Sequence, residues 1–218
     1  TANAMLSALR GVLKEAWRLG HLSSEDHARA ADLGIVRGER LSRARALDEE
    51  SVERLFRACE RDTVKGARDR ALLALLFGGG LRRSEACSVR LDQYTPRRKC
   101  LRVVGKGNIE REVPLGRYAA HLDAWIATRG HGAGPILTSI TPPRDRLARD
   151  GTKVYEPGAV ARKADGGLAH LTDDGLYKIL ADLAAAAGVG RLAPHDARRT
   201  RITGLFRAGV DALQVQRF

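Results

Sequence analysis

A mainly α-helical fold carrying one small antiparallel β-hairpin, an α+β architecture, is what the sequence predicts, and three observations predict it. Apolar residues recur at helical spacing through most of the chain. One stretch, "KCLRVVGKGNIEREVPL" at 99–115, instead shows two β-leaning runs flanking glycines. Finally, 218 residues with 44% hydrophobic side chains suffice for one good-sized domain plus a fragment of another.

The elements follow in order. Residues 3–19 place Met5, Leu6, Leu9, Val12, Leu13, Ala16 and Trp17 on one helical stripe, and "HLSSEDHARAADL" restarts a helix behind a serine cap. Such a hairpin cannot bury its own apolar face well, so residues 1–34 read as the C-terminal part of a helical domain. Residues 35–46 lack apolar periodicity and carry Arg37, Arg40, Arg43 and Arg45 against Glu39, which reads as a basic interdomain linker. A second domain occupies 47–218. Asp48 caps its first helix, whose core face is Val52, Leu55, Phe56 and Cys59, and "ARDRALLALLF" forms a buried central helix, apolar almost all round. Three glycines, 78–80, stop that helix, and the next turn sets Arg82 and Arg83 beside Glu85.

In the hairpin, "GKGN" supplies the positive-φ residues of a tight turn and puts Lys106 at its tip. Helical period returns in "YAAHLDAWI", aligning Tyr118, Leu122, Trp125 and Ile126. It returns again in "TDDGLYKILADLAAAAG", where Leu176, Ile179, Leu180, Leu183 and Ala184 make the stripe behind a Thr172 cap. Between them, residues 139–170 are rich in Pro, Gly and charge and read as a long, mobile surface loop.

The most informative helix is "APHDARRTRITGLFRAG", residues 193–209, opened by Pro194 and closed by Gly209. Its stripe of His195, Arg198, Ile202, Leu205 and Phe206 predicts that His195 and Arg198 turn inward with the apolar members. An inward cation needs an anion, because an unpaired buried charge costs several kcal/mol. In one reading Arg198 pairs with a distant carboxylate such as Glu85 and His195 is an ordinary capping histidine. In the other, Arg82, His195 and Arg198 converge on one cleft, with Glu85 bracing Arg82. Their planar, always-charged forks would then suit the oxygens of a phosphodiester. Phosphoryl transfer asks a protein mainly for positioning and charge stabilisation, which arginines supply. A lysine on a hairpin tip is placed to protonate a leaving oxygen.

Charge points the same way: 38 Lys and Arg against 26 Asp and Glu give a formal net charge of +12, the footprint of a nucleic-acid binder. Lys14 and Arg18 on the first helix, with the linker arginines Arg37, Arg40, Arg43 and Arg45, are candidate phosphate-backbone contacts or simply a solvated basic face. The sequence shows neither a Walker loop, nor an acid cluster of the magnesium-pair kind, nor histidines at zinc spacing. The cysteines, Cys59, Cys87 and Cys100, are odd in number and far apart. The N-terminus is amphipathic rather than signal-like and no apolar run approaches the length of a membrane span. The expectation is a cytoplasmic, nucleoid-associated protein without membrane contact.

"RDRALLALLFGGGLRRSEACSVRL", "LRVVGKGNIEREVPL", "PHDARRT" and "FRAGVDALQVQRF", in this order and spacing across 47–218, resemble the catalytic domain of the tyrosine recombinase, or phage integrase, family. The resemblance implies a catalytic fold preceded by part of the family's helical core-binding domain, the two clamping duplex DNA. It implies that Arg82 is the first family arginine, Glu85 the acid after it, Lys106 the hairpin lysine, and His195 and Arg198 the H-x-x-R pair. The arginines and histidine would hold the scissile phosphate, the lysine would protonate the departing 5′ oxygen, and a tyrosine would attack to leave a 3′-phosphotyrosine. No metal or nucleotide cofactor is implied. The resemblance implies double-stranded DNA as the partner and a tetramer on DNA for the full-length protein, and the fragment free in solution is expected to be a monomer.

The sequence also departs from the family. Tyr94, Tyr118, Tyr155 and Tyr177 all precede the H-x-x-R helix, so the nucleophile is expected beyond Phe218. The gene product is accordingly expected to extend at both ends, and these residues to bind DNA without cleaving it. Arg199 stands where the family often has histidine, the middle glycine of 78–80 where it often has threonine, and residues 139–170 are longer than usual. The alternative functions are a type IB topoisomerase-like enzyme and a DNA-binding protein of the same fold that lost catalysis.

Overall fold

The computed structural model describes residues 2–36, 45–105, 109–147 and 152–212. The chain divides into two compact units, Thr1–Arg43 and Ala44–Phe218.

The first unit holds helices α1 (Ala2–Arg18) and α2 (Ser24–Ala31). Ser23 caps α2 by accepting from the Asp26 N–H at 3.0 Å. The indole of Trp17 stacks on His27 with ring centroids 5.3 Å apart and donates to Ser24 Oγ. Arg10 donates to the Leu33 carbonyl, and Asn3 bonds the Val36 backbone in both directions. No residue of either helix is buried within the described residues, and Met5 and Val12 are 75% and 67% exposed. The apolar stripe read from the sequence is only partly covered: Leu6, Leu13 and Ala16 are half-buried, and Met5, Leu9, Val12 and Trp17 are exposed.

The second unit is built around α3 (Glu49–Ala58) and α4 (Val64–Leu73), which runs on through a π-helical turn at Ala74–Gly78. Asp48 and Thr63 cap the two helices through the Ser51 and Gly66 amides. Every residue from Ala71 to Leu76 is fully buried, because this helix is enclosed on all sides and has no polar face to show. At its end, Gly80 takes φ +60° and turns the chain into α5 (Arg83–Ser88). That left-handed conformation favours glycine.

A three-stranded antiparallel sheet follows, in the order β1 (Tyr94–Thr95), β2 (Cys100–Val104), β3 (Glu110–Pro114). The hairpin register pairs Leu101 with Val113 and Val103 with Arg111. Helix α6 (Ala119–Arg129) buries Leu122, Trp125 and Ile126, and Trp125 donates its indole N–H to the Ile136 carbonyl at 2.8 Å. Helix α7 (Asp173–Ala186) buries all five residues of its stripe and is capped by Thr172. Helix α8 (Pro194–Arg207) packs on the π-helical turn. No described helix is long and apolar enough to cross a membrane.

Two expectations are corrected. Residues 139–170 are not a plain loop: β4 (Ile140–Thr141) pairs with β7 (Ala159–Val160), and β5 (Arg144–Leu147) pairs with β6 (Lys153–Glu156). Glu156 bridges both Arg144 and Arg146 in that second pair, so cross-strand charge rather than apolar alternation marks these strands.

The face of α8 also differs. Its buried residues are Pro194, Asp196 and Ala197, whereas His195 is exposed, Arg198, Ile202 and Leu205 are half-buried, and Phe206 is 51% exposed. On the buried side lies Asp196, which the apolar periodicity had placed on another face. Its carboxylate accepts from the Ala193 N–H at 2.8 Å and from the Arg45 N–H at 2.9 Å, so a buried acid satisfied by two backbone amides, and not an apolar residue, occupies the inward side of the first turn.

Candidate active site

Arg82 occupies the N-cap of α5, directly behind the glycine turn. Glu85, one turn on, accepts from the Arg82 backbone N–H at 2.9 Å and from its guanidinium at 2.8 Å. The carboxylate is buried, and the arginine side chain remains 43% exposed. Its neighbour Arg83 turns away, pairing with Asp173 at 2.9 Å and lying over the Tyr177 ring, so it ties α5 to α7. The two adjacent arginines of the sequence therefore do separate work.

A further arginine, which the sequence reading did not single out, completes this end. Arg111 on β3 points inward at 11% exposure and grips Glu85 with both terminal nitrogens, at 3.1 Å to Oε1 and 2.7 Å to Oε2. Strand alternation puts Arg111 on the same inward side of β3 as Val113, a signal masked by the usual exposure of a charged strand residue. Burial alone would raise the Glu85 carboxyl pKa. The hydrogen bonds from Arg111, the Arg82 backbone and the Arg82 side chain outweigh that and hold it below the ordinary glutamate value.

Arg198 reaches the same place from α8. Its Nη1 donates to the Gly80 carbonyl at 2.6 Å, two residues before Arg82. Burial first, then the positive charges of Arg82 and Arg111, hold its guanidinium pKa below the ordinary value, with Glu85 acting in the opposite sense. The structure thus gathers Arg82, Glu85, Arg111 and Arg198 from three separate elements. Two guanidinium groups hold one carboxylate and a third lies near enough to feel all three charges, leaving the cluster with excess positive charge in a partly desolvated setting, where an anion interacts more strongly than in open water.

His195 lies one turn before Arg198 on α8 and is exposed, so it does not enter the core. Lys106 lies outside the described residues, as do Arg37, Arg40 and Arg43. The base of its hairpin is described: a β-carbon on Gly105 would lie 2.9 Å from Arg111 Nη1 and 3.8 Å from Arg82 Nη1. That strand end therefore packs against the arginine cluster. Arg45 is exposed, but its guanidinium is bonded to the Val189 and Arg191 carbonyls. Lys14 and Arg18 are exposed on α1, where Arg18 pairs with Glu15. Tyr94 donates to Asp123 at 2.7 Å from a buried position and serves packing.

The α+β domain that carries this cluster is similar in sequence and in fold to known proteins. Residues 45–218 match the phage integrase family, and the chain belongs to that family of tyrosine recombinases. It is 31% identical over 170 residues to the tyrosine recombinase XerD of Neisseria meningitidis serogroup B (strain ATCC BAA-335 / MC58), covering 78% of this chain and 52% of that protein. It is 31% identical over 216 residues to the tyrosine recombinase XerD of Xanthomonas campestris pv. campestris (strain ATCC 33913 / DSM 3586 / NCPPB 528 / LMG 568 / P 25), covering 97% of this chain and 61% of the relative. The chain thus spans roughly half to three fifths of the length of these relatives. In fold it is similar to a lambda integrase fragment crystallised as a dimer bound to a COC′ core site. That similarity has a TM-score of 0.62 and 16% identity, over 99% of this chain and 69% of the other.

Proposed function

We propose that this chain supplies the phosphate-binding part of a site-specific DNA recombinase, which cleaves and rejoins duplex DNA through a 3′-phosphotyrosine. The observation that carries the proposal is the meeting of Arg82 and Arg198 beside Glu85, with positive charge in excess. Two planar forks on different elements match the two non-bridging oxygens of a phosphodiester. They also sit where charge grows in a pentacoordinate transition state. His195 donates to the same phosphate from the exposed rim, and Lys106 protonates the departing 5′ oxygen. The nucleophile is a tyrosine outside these 218 residues.

In this reading residues 1–34 are the end of a core-binding domain, residues 35–46 a basic linker, and residues 47–218 the catalytic domain. The partner is duplex DNA, on which the complete protein assembles as a tetramer. DNA-bound relatives of the fold, among them the lambda integrase dimer on its core site, support that partner. The excess of basic residues does so too.

The test is covalent trapping on a nicked suicide duplex. Arg198→Ala in the complete gene product is expected to lower the trapping rate by about two to three orders of magnitude while duplex affinity changes little. Undiminished trapping would overturn the phosphate assignment. Exchange of strands between two sites, as against relaxation of supercoils alone, separates a recombinase from a topoisomerase.

A further inference from the structure

The bidentate grip of Arg111 on Glu85 goes beyond what bracing Arg82 demands. Glu85 already accepts two hydrogen bonds from Arg82, one on each carboxylate oxygen. With those two partners alone, one carboxylate would face one guanidinium, and the pair would be neutral. A neutral pair is a poor host for a phosphodiester, because the carboxylate competes with the ligand for the arginine and repels it.

Arg111 changes that balance. Its fork places a second guanidinium on the same two oxygens, at 3.1 and 2.7 Å. It does so from a nearly enclosed position on β3, whereas Arg82 keeps 43% of its side chain in solvent. The enclosed cation cannot itself reach a ligand as large as a DNA backbone; the exposed one can. Gly105 leaves room beside that fork, since a β-carbon there would stand 2.9 Å from Arg111 Nη1.

We propose that Arg111 is a positioning residue that offsets the charge of Glu85, so that Glu85 orients Arg82 without cancelling it and the Arg82 charge stays available to the phosphate. This deepens the phosphate-site reading and rests on it. It assigns Arg111 an electrostatic task through Glu85, and no contact with DNA.

Trapping on the nicked suicide duplex, with the complete gene product, tests it. Arg111→Gln removes the offsetting charge, and its trapping rate is expected to fall about tenfold or more with duplex affinity within about twofold. Arg111→Lys keeps the charge but loses the fork. It should therefore melt at a lower temperature yet trap within about threefold of the parent. A purely structural role predicts instead that both variants are slowed in proportion to their loss of stability, whatever their charge. Wild-type trapping by folded Arg111→Gln, or Arg111→Lys as slow as Arg111→Gln, would overturn the proposal.

If Arg111→Gln does not fold, the double variant Glu85→Gln/Arg111→Gln, which removes both buried charges together, takes its place. Trapping within about tenfold of the parent supports charge offset, and loss as deep as that of Arg82→Ala refutes it. Arg82→Ala and Arg198→Ala run alongside. If they trap normally the phosphate site itself is wrong; if they are dead while Arg111→Gln is normal, only the role of Arg111 falls.

Discussion

The arginine at the start of α5 and the arginine one turn into α8 are held in opposite ways. Arg82 rests against a carboxylate that bonds both its backbone and its side chain, and that carboxylate is gripped from behind by Arg111. Arg198 has a peptide carbonyl, that of Gly80, and its charge is disfavoured by burial and by the neighbouring arginines. The first end is held in place before any ligand arrives, with two guanidiniums against one carboxylate. The second is a cation whose surroundings improve when an anion binds. Pre-organisation at one end and unrelieved charge at the other together give a site that is built in advance and still favours a phosphate.

Removing the carboxylate breaks the comparison most severely. Glu85→Gln leaves Arg111 enclosed and unpaired, and breaking a buried pair from one side costs about 3 kcal/mol. That corresponds to a melting temperature lower by roughly 10 °C for a chain of this size. The pH dependence carries a sign. Because the folded-state pKa of Glu85 lies below the ordinary 4.5, the unfolded chain binds a proton that the folded chain refuses between those values. The stabilisation is complete above the ordinary value and drains away as the pH falls through the folded one. Thermal melts of the two proteins should therefore differ most near neutrality and converge towards acid pH. Parallel curves over the whole range would show that Glu85 is not held down.

A smaller perturbation acts at the other end. Gly80→Ala asks an L-residue to adopt φ +60°, and its methyl would come within 3.2 Å of the Arg201 side chain. The left-handed conformation alone costs about 1–2 kcal/mol. The carbonyl that receives Arg198 shifts with it, so the trapping rate should fall further than the loss of stability explains. Equal effects on both would mean that the Gly80 carbonyl does not position Arg198.

These contrasts bear on what the residues disclosed in advance. The α7 stripe, the caps at Ser23, Asp48 and Thr172, and the 99–115 hairpin were legible because local periodicity and capping chemistry act over a few residues and nothing tertiary opposes them. Arg82 and Glu85 were legible as a pair because they lie three apart across a helix start. Arg111 was not, because a charged residue in "EREV" looks like an exposed strand position until a carboxylate from another element comes to meet it. The strands within 139–170 escaped for a related reason: Arg144, Arg146 and Glu156 satisfy one another across the pair, and no apolar alternation advertises them.

The α8 face is where periodicity misled, and the smallest prediction sharpens that point. The stripe running from His195 to Phe206 is apolar at its far end, yet the helix is secured at its near end by Asp196, whose carboxylate takes the Ala193 and Arg45 amides. If that cap sets the rotation of the helix, Asp196→Ala should cost about 1 kcal/mol. It should also slow trapping, because Arg198 lies two residues further along the same turn. Phe206→Ala removes a far larger apolar group, but one that is half exposed, and should change stability by less than about 0.5 kcal/mol. Chemical denaturation of the two variants side by side decides the matter. If Phe206→Ala proves the more damaging, the apolar stripe orients α8 after all, and the placement of Arg198 would have to be argued from that face instead.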